Sequence, residues 1–258
     1  MKLGFCTSID NLELVEKAGI DYMESSVGAV AGWTDEETKE NLKKLANSPV
    51  KFESCNSLIG GFSLYEDADW SKTDAYFARV LPRLAEVGMK TLVFGSGGYR
   101  RIIDGVTPEA AHERILQFLD RLSGKIKPYG ITIVIEPLNT NECNILTSSK
   151  EAEGYVRELN LPNIQLLVDY YHFLLESERL TVIDDYKGIL KHTHIANPVK
   201  RLTPAPFDGV DYVGWFRALK KIGYDGLVVA EPRRPDDLFA AMQGYKAAMD
   251  MAMAEAGV

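Results

Sequence analysis

Short apolar runs alternate with longer amphipathic segments along the whole chain of 258 residues. Each short run is rich in Val, Ile, Leu or Phe, which is typical of parallel strands buried on both faces. Eight such runs are predicted strands: residues 3–6, 22–24, 50–54, 91–94, 131–136, 164–168, 190–195 and 227–230. The intervening segments carry helix start and stop signals. Five of them are predicted helices: residues 10–18, 34–46, 107–128, a run from 148, and 235–255.

Eight strands, each followed by a helical segment at about 32 residues per unit, match a closed (β/α)₈ TIM barrel of the α/β class. An open doubly wound sheet usually has fewer strands and often a glycine-rich first turn. Here the first turn, residues 6–10, reads CTSID and contains no glycine. No linker or shift in composition interrupts the chain, so we expect one barrel domain that covers residues 1–258.

Composition and charge narrow the classes of function. Hydrophobic residues make up 46% of the chain and charged residues 26%, which is typical of a globular protein and excludes a disordered one. The net charge of -8 gives no basic field to attract a phosphate backbone, so we expect no nucleic-acid partner. Three cysteines form neither a disulfide framework nor a zinc ribbon. With no apolar leader and no membrane-length run, we expect a cytoplasmic protein without a membrane partner.

The last four predicted strands end in residues that can do chemistry. In this architecture function lies at the C-terminal ends of the strands, where the chain places Glu136, Asp169, His194 and Glu231 in order. Three carboxylates there would be desolvated and would repel one another, and a bound divalent metal ion resolves both problems. The set suits Mn²⁺ as first choice, with Mg²⁺, Co²⁺ or Zn²⁺ as alternatives. Alternatively, each residue is an isolated polar group held by a loop amide or a lysine.

Other polar residues accompany these four. His192 precedes His194 by two positions and faces the same side of its strand, so we expect it one layer deeper, as a support or core residue. His172 follows three residues after Asp169, and Glu142 lies in the loop after the fifth strand. Both would surround a ligand held on the metal. A helix cap for His172 and a solvated position for Glu142 stay open.

The turn after the fourth strand contains Gly95, Gly97 and Gly98, followed by Arg100 and Arg101. Glycines let main-chain N–H groups approach an anion, and an arginine can clamp a phosphate. A flexible loop at the barrel mouth accounts for the same residues equally well.

Several motifs together resemble a known family. They are residues 94–97 (FGSG), 135–139 (IEPLN) with Glu142, 169–172 (DYYH), 192–196 (HTHIA) and the segment 211–231. These motifs resemble the xylose-isomerase-like TIM-barrel superfamily of sugar isomerases and epimerases, in particular the D-tagatose and D-psicose (allulose) 3-epimerase group. The resemblance implies a cofactor of one divalent ion on the four strand-end residues, with Glu136 and Glu231 as the proton-transfer pair. It also implies a ketose substrate that reacts through a metal-stabilised enediolate, and homo-oligomers are common in the group.

The resemblance further implies that Glu142, His172 and a basic residue after the seventh strand bind sugar hydroxyls. Lys200 and Arg201 are adjacent there, and the forked guanidinium of Arg201 suits hydroxyl recognition better. Return of the proton to the opposite face of the same carbon would give epimerisation, and return to the neighbouring carbon would give aldose–ketose isomerisation.

Other reactions on the same site stay open: an inosose-dehydratase-like lyase, and a hydroxypyruvate or sugar-phosphate isomerase. A DNA-repair hydrolase that resembles endonuclease IV fits less well, because that group also needs histidines after the third and fourth strands. Those places read CNS at residues 55–57 and GSG at residues 95–97. A non-catalytic sugar-binding barrel is disfavoured because both glutamates are present.

Overall fold

The apolar runs pair side by side in the order in which they follow one another along the chain. In a computed structural model, which describes residues 1–258, eight parallel strands form a closed barrel in sequence order, and the last strand pairs with the first. The strands are β1 Lys2–Cys6, β2 Tyr22–Ser26, β3 Lys51–Asn56, β4 Thr91–Phe94, β5 Thr132–Ile135, β6 Ile164–Asp169, β7 Leu190–Ile195 and β8 Leu227–Ala230. The predicted (β/α)₈ TIM barrel is confirmed.

Helices connect consecutive strands around the outside of the barrel. They are α1 Leu12–Lys17, α2 Val27–Ala31, α3 Asp35–Ala46, α4 Ser71–Val87, α5 Gly97–Arg100, α6 Pro108–Ile126, α7 Ser149–Leu159, α8 Tyr170–Leu175, α9 Tyr212–Lys221 and α10 Leu238–Ala256. Short 3₁₀ turns occupy Ile9–Asn11, Leu64–Glu66, Lys127–Tyr129 and Leu180–Tyr186. None of the helices combines the length and the apolar character that crossing a lipid bilayer requires.

Helix boundaries follow the caps. Thr34 forms a capping box with Glu37, and Thr107 caps α6, as the sequence predicts. The last helix begins at Leu238 rather than at residue 235, because the side chain of Asp237 accepts the hydrogen bond of the first turn. Helix α4 is not among the five helices that the sequence predicts. Its cap position is Trp70, whose side chain caps nothing. The N–H groups of Lys72 and Thr73 in the first turn donate instead to the carboxylate of Asp67, which lies outside the usual cap position.

Two strand boundaries matter for function. Strands β2 and β3 each run two residues beyond their predicted ends at residues 24 and 54. Glu24 therefore lies inside a strand, one layer below the mouth of the barrel, and Asn56 becomes the last residue of its strand. Strand β5 ends at Ile135, so that Glu136 directly follows it.

The barrel interior has an apolar floor. Val93, Val134 and Leu167 are fully buried and form a small cluster apart from the main hydrophobic core. Side chains two residues apart on a strand face the same side, so the residues at positions 95, 136 and 169 lie directly above this floor. Polar groups at the mouth are thus shielded from water from below.

Candidate active site and metal centre

The four predicted strand-end residues converge at the mouth of the barrel. The ligating atoms of Glu136, Asp169, His194 and Glu231 all lie within 4.8 Å of one another. Asp169 and His194 are direct partners in the register of β6 and β7. The alternative of four isolated polar residues does not match this geometry.

The His194 ring lies between the carboxylate of Glu24 on one side and those of Glu136 and Glu231 on the other. Its Nε2 atom is 2.9 Å from an oxygen of Glu24, and its Nδ1 atom is 2.8 Å from Glu136 Oε1 and 3.5 Å from Glu231 Oε2. A neutral imidazole has one N–H, so one of its nitrogens would direct a lone pair at a carboxylate. Burial disfavours the imidazolium, but Glu24, Glu231 and Glu136 together raise the pKa of His194 well above its usual range. The cluster therefore favours a positive charge.

Asp169 provides a second sign that the cluster suits a cation. Its Oδ1 atom caps α8 by accepting a hydrogen bond from the Tyr171 amide at 2.9 Å. Its Oδ2 atom is buried and has no hydrogen-bond partner. Burial raises the pKa of Asp169, and the charges of His172 and Arg201 oppose that shift. A buried carboxylate oxygen without a donor, beside two more carboxylates and an imidazole, fits the ligand set of one divalent ion.

Arg201 reaches into the same cluster. Its Nη2 contacts the Glu231 carboxylate and lies 3.5 Å from Asp169 Oδ2, and its Nη1 lies 3.6 Å from Glu142 Oε2. Burial raises the pKa of Glu231, but His194 and Arg201 outweigh it and lower that pKa to about 2. Lys200 is exposed to solvent. The structure thus places Arg201 at the site, and not its neighbour.

His172 and Glu142 are held by a common partner, Asn139. The main-chain N–H of Asn139 donates to His172 Nδ1 at 3.1 Å, and its side-chain amide donates to Glu142 Oε1 at 2.7 Å. Because Nδ1 accepts, the ring proton of neutral His172 is on Nε2, which lies 3.4 Å from Asp169 Oδ2 and has no hydrogen-bond partner. Burial lowers the pKa of His172, which favours this neutral donor. Asp169, and not His172, caps the following helix.

Two supporting residues, Glu24 and Asn56, are absent from the set that the sequence predicts. Glu24 is fully buried and faces both His192 and His194 at 2.9 Å. His192 precedes His194 by two residues on β7 and therefore lies one layer deeper in the barrel, as predicted. Asn56 donates from its side-chain amide to Glu231 Oε1 at 2.7 Å. A signal for Glu24 existed, since the predicted strand 22–24 ends in a carboxylate, as does the predicted fifth strand, 131–136.

Gly95 has a steric role. A Cβ atom at this position would lie 1.9 Å from Glu136 Oε2, which no real contact allows. Residue 95 must lack a side chain so that the Glu136 carboxylate can occupy its place. This steric requirement is sufficient to explain the glycine at position 95, and no role in binding an anion is needed.

Of the two alternatives for the turn after the fourth strand, a phosphate clamp is excluded for Arg100. Arg100 is fully buried, and its guanidinium donates to the carbonyl oxygens of Phe94 at 2.8 Å and Glu136 at 2.9 Å. It fixes the chain around the Glu136 side chain and cannot reach a ligand. Arg101 is exposed and donates to the carbonyl oxygen of Glu142 at 2.9 Å.

Comparison with known proteins gives a consistent picture. The family model described as "Xylose isomerase-like TIM barrel" matches residues 12–254. A ketose 3-epimerase of Arthrobacter globiformis is 34% identical over 112 residues, which are 43% of this chain and 38% of that protein. The first curated relatives are matched over 38 to 61% of their own lengths, so the chain spans less than two thirds of each in these alignments.

Two solved structures share the fold. A D-psicose 3-epimerase crystallised in the presence of D-fructose superposes with a TM-score of 0.86 at 20% identity, over 100% of both chains. The IOLI protein with a bound zinc atom superposes with a TM-score of 0.78 at 20% identity, over 100% of this chain and 98% of that one.

Proposed function

This chain belongs to the xylose isomerase-like TIM barrel family, and on that premise we propose that it is a metal-dependent sugar epimerase or isomerase that acts on a ketose. The observation that carries the proposal is the convergence of Glu136, Asp169, His194 and Glu231 within 4.8 Å, with one buried Asp169 oxygen lacking a donor. The ketose 3-epimerase relative supports the choice of substrate class.

The four converging residues would hold one divalent ion, which would polarise the ketose carbonyl and stabilise the negative charge that develops on its oxygen. Oxygen ligands outnumber nitrogen three to one, which favours Mn²⁺ and admits Mg²⁺, Co²⁺ or Zn²⁺. The zinc atom in the IOLI structure supports a divalent ion in a barrel of this fold.

Glu136 and Glu231 are the proposed proton-transfer pair. Both approach His194 Nδ1, at 2.8 and 3.5 Å, so both carboxylates border the space in which a sugar carbon would react. The low pKa of Glu231, about 2, keeps this carboxylate ionised near neutral pH. Removal of a proton from C3 by one glutamate and delivery to the opposite face by the other gives epimerisation. Delivery at the neighbouring carbon gives isomerisation.

The remaining polar groups would orient the sugar. His172 presents an Nε2–H without a partner, Arg201 presents a guanidinium, and Glu142 lies at the rim with 39% of its side chain exposed. These donors and acceptors suit the hydroxyl groups of a sugar. Because Arg100 is buried, only Arg101 of that turn is left for a phosphate, which favours an unphosphorylated substrate.

A panel of free and phosphorylated ketoses, hydroxypyruvate and inosose, incubated with Mn²⁺ in D₂O, tests the proposal. We expect deuterium at C3 of a free ketose together with formation of its 3-epimer. A dione chromophore from inosose would instead identify the lyase, and three tightly bound zinc ions per chain would identify the nuclease. If no sugar exchanges a proton, the proposed function is wrong.

A further inference from the structure

Glu24 spans the interior of the barrel. It belongs to β2, whose neighbours in the barrel are β1 and β3, yet its carboxylate contacts two side chains of β7 on another part of the wall. Its Oε2 atom lies 2.9 Å from His192 Nε2, and its Oε1 atom lies 2.9 Å from His194 Nε2. The Cys6 thiol is a third donor to this carboxylate and the second to Oε1, at 3.6 Å. Both carboxylate oxygens are therefore occupied.

The proton positions follow from this arrangement. An ionised carboxylate only accepts hydrogen bonds, so both imidazoles donate to Glu24 through Nε2–H. In its neutral form, His194 then carries its lone pair on Nδ1, which faces Glu136 and Glu231. A histidine that ligates a metal through one nitrogen commonly donates its other N–H to a carboxylate, which fixes both the tautomer and the ring orientation.

We propose that Glu24 is a positioning residue that locks His194 with Nδ1 directed at the carboxylate cluster and thereby sets the affinity of this cluster for a divalent ion. The inference rests on the proposed function, in that it takes the cluster as the cation site. Cys6, Glu24 and His194 are themselves close enough to form a second group of ligands. However, His194 Nε2 carries the proton that it donates to Glu24 and so has no lone pair for a metal on that side, and we therefore assign Glu24 to support.

The first test is Glu24→Gln, measured by titrating the metal-free protein with Mn²⁺ in the absence of substrate. The amide keeps the shape of Glu24 but offers one acceptor and one donor, so the two imidazoles can no longer both donate to it. We expect the dissociation constant for Mn²⁺ to rise by about 10- to 100-fold. We also expect the two imidazole N–H resonances, seen by proton NMR in the wild type, to be lost or shifted. A purely structural role would not move either readout in protein that stays folded.

Glu24→Asp keeps the negative charge in the barrel and serves if the glutamine variant does not fold. Its side chain is one methylene shorter and cannot reach both imidazoles at hydrogen-bond distance. We expect its Mn²⁺ affinity to fall between those of the wild type and the glutamine variant.

Glu153→Gln is the matched control. Glu153 is also buried, at 4% exposed, but it lies on α7 and pairs with Lys150 and Arg157. This variant should lower the melting temperature and leave the Mn²⁺ affinity unchanged. Wild-type affinity in both Glu24 variants would overturn the inference and leave the proposed function intact. If the wild-type protein binds no divalent ion, the proposed function and this inference are both wrong.

Discussion

The two halves of the barrel mouth differ in what they contribute. The strands of the second half, β5 to β8, end in or lead into the charged and ligating residues Glu136, Asp169, His194 and Glu231. The first half contributes residues that each act on a member of that set. The pairs are Glu24 with His194, Asn56 with Glu231, and Gly95 with Glu136. Under the proposed function, the second half would supply the chemistry and the first half would set its geometry.

The largest effect on turnover should come from substitutions in the second half of the barrel mouth. Replacing Glu136 or Glu231 by Gln removes a proton carrier and weakens a metal ligand, so we expect turnover to fall by at least about 10³-fold. The circular dichroism spectrum should stay that of the wild type. Activity is measured as formation of the 3-epimer. Turnover within tenfold of the wild type in either variant would contradict the division between the halves.

Gly95→Ala tests whether the first half controls geometry. The added Cβ would lie 1.9 Å from Glu136 Oε2, so the carboxylate must move, and displacement by about 1 Å costs about 10²-fold in turnover. Gly98→Ala is the control in the same turn, because a Cβ there meets nothing within 4 Å. Steady-state kinetics of both variants, at equal Mn²⁺, should separate them. Equal activities would show that the fit around Glu136 is loose.

Arg201→Lys sharpens the choice between two adjacent basic residues. A lysine keeps the charge but cannot contact Glu231, Asp169 and Glu142 with one planar group, so we expect kcat/KM to fall about tenfold. Lys200→Ala should have wild-type kinetics, because Lys200 points to solvent. The reverse result would transfer the substrate-binding role to Lys200.

Asn56→Ala should have the smallest effect of the four. It removes one hydrogen bond, 2.7 Å long, to a glutamate that Arg201 still contacts. We expect a decrease in kcat of about three- to tenfold, in line with the loss of a single hydrogen bond. Asn47→Ala, which changes an amide at the exposed end of α3, is the control. A loss as large as that of the glutamate variants would mean that the first half takes part in the chemistry itself.

The same division explains what the sequence could predict. Residues such as Glu136 and Glu231 directly follow apolar strands, so a rule about strand ends finds them. The same rule points to Glu24 at the end of its predicted strand, but only the greater length of β2 shows that this residue lies one layer below the mouth, as a support residue. The role of Gly95 depends on a contact with a residue 41 positions further along the chain, which no local pattern encodes. The glycine- and arginine-containing turn after β4 has the composition of an anion site, but the fold buries Arg100 against main-chain carbonyl oxygens.

Exchange of solvent deuterium into C3 of a free ketose, followed as Mn²⁺ is added back to metal-free protein, tests the central claim most directly. The account predicts no exchange without the metal, a rise that levels off at one ion per chain, and no formation of the 3-epimer by Glu136→Gln at any Mn²⁺ concentration. Exchange that persists after the metal is stripped, or a 3-epimer that the Glu136 variant forms as fast as the wild type, would contradict it.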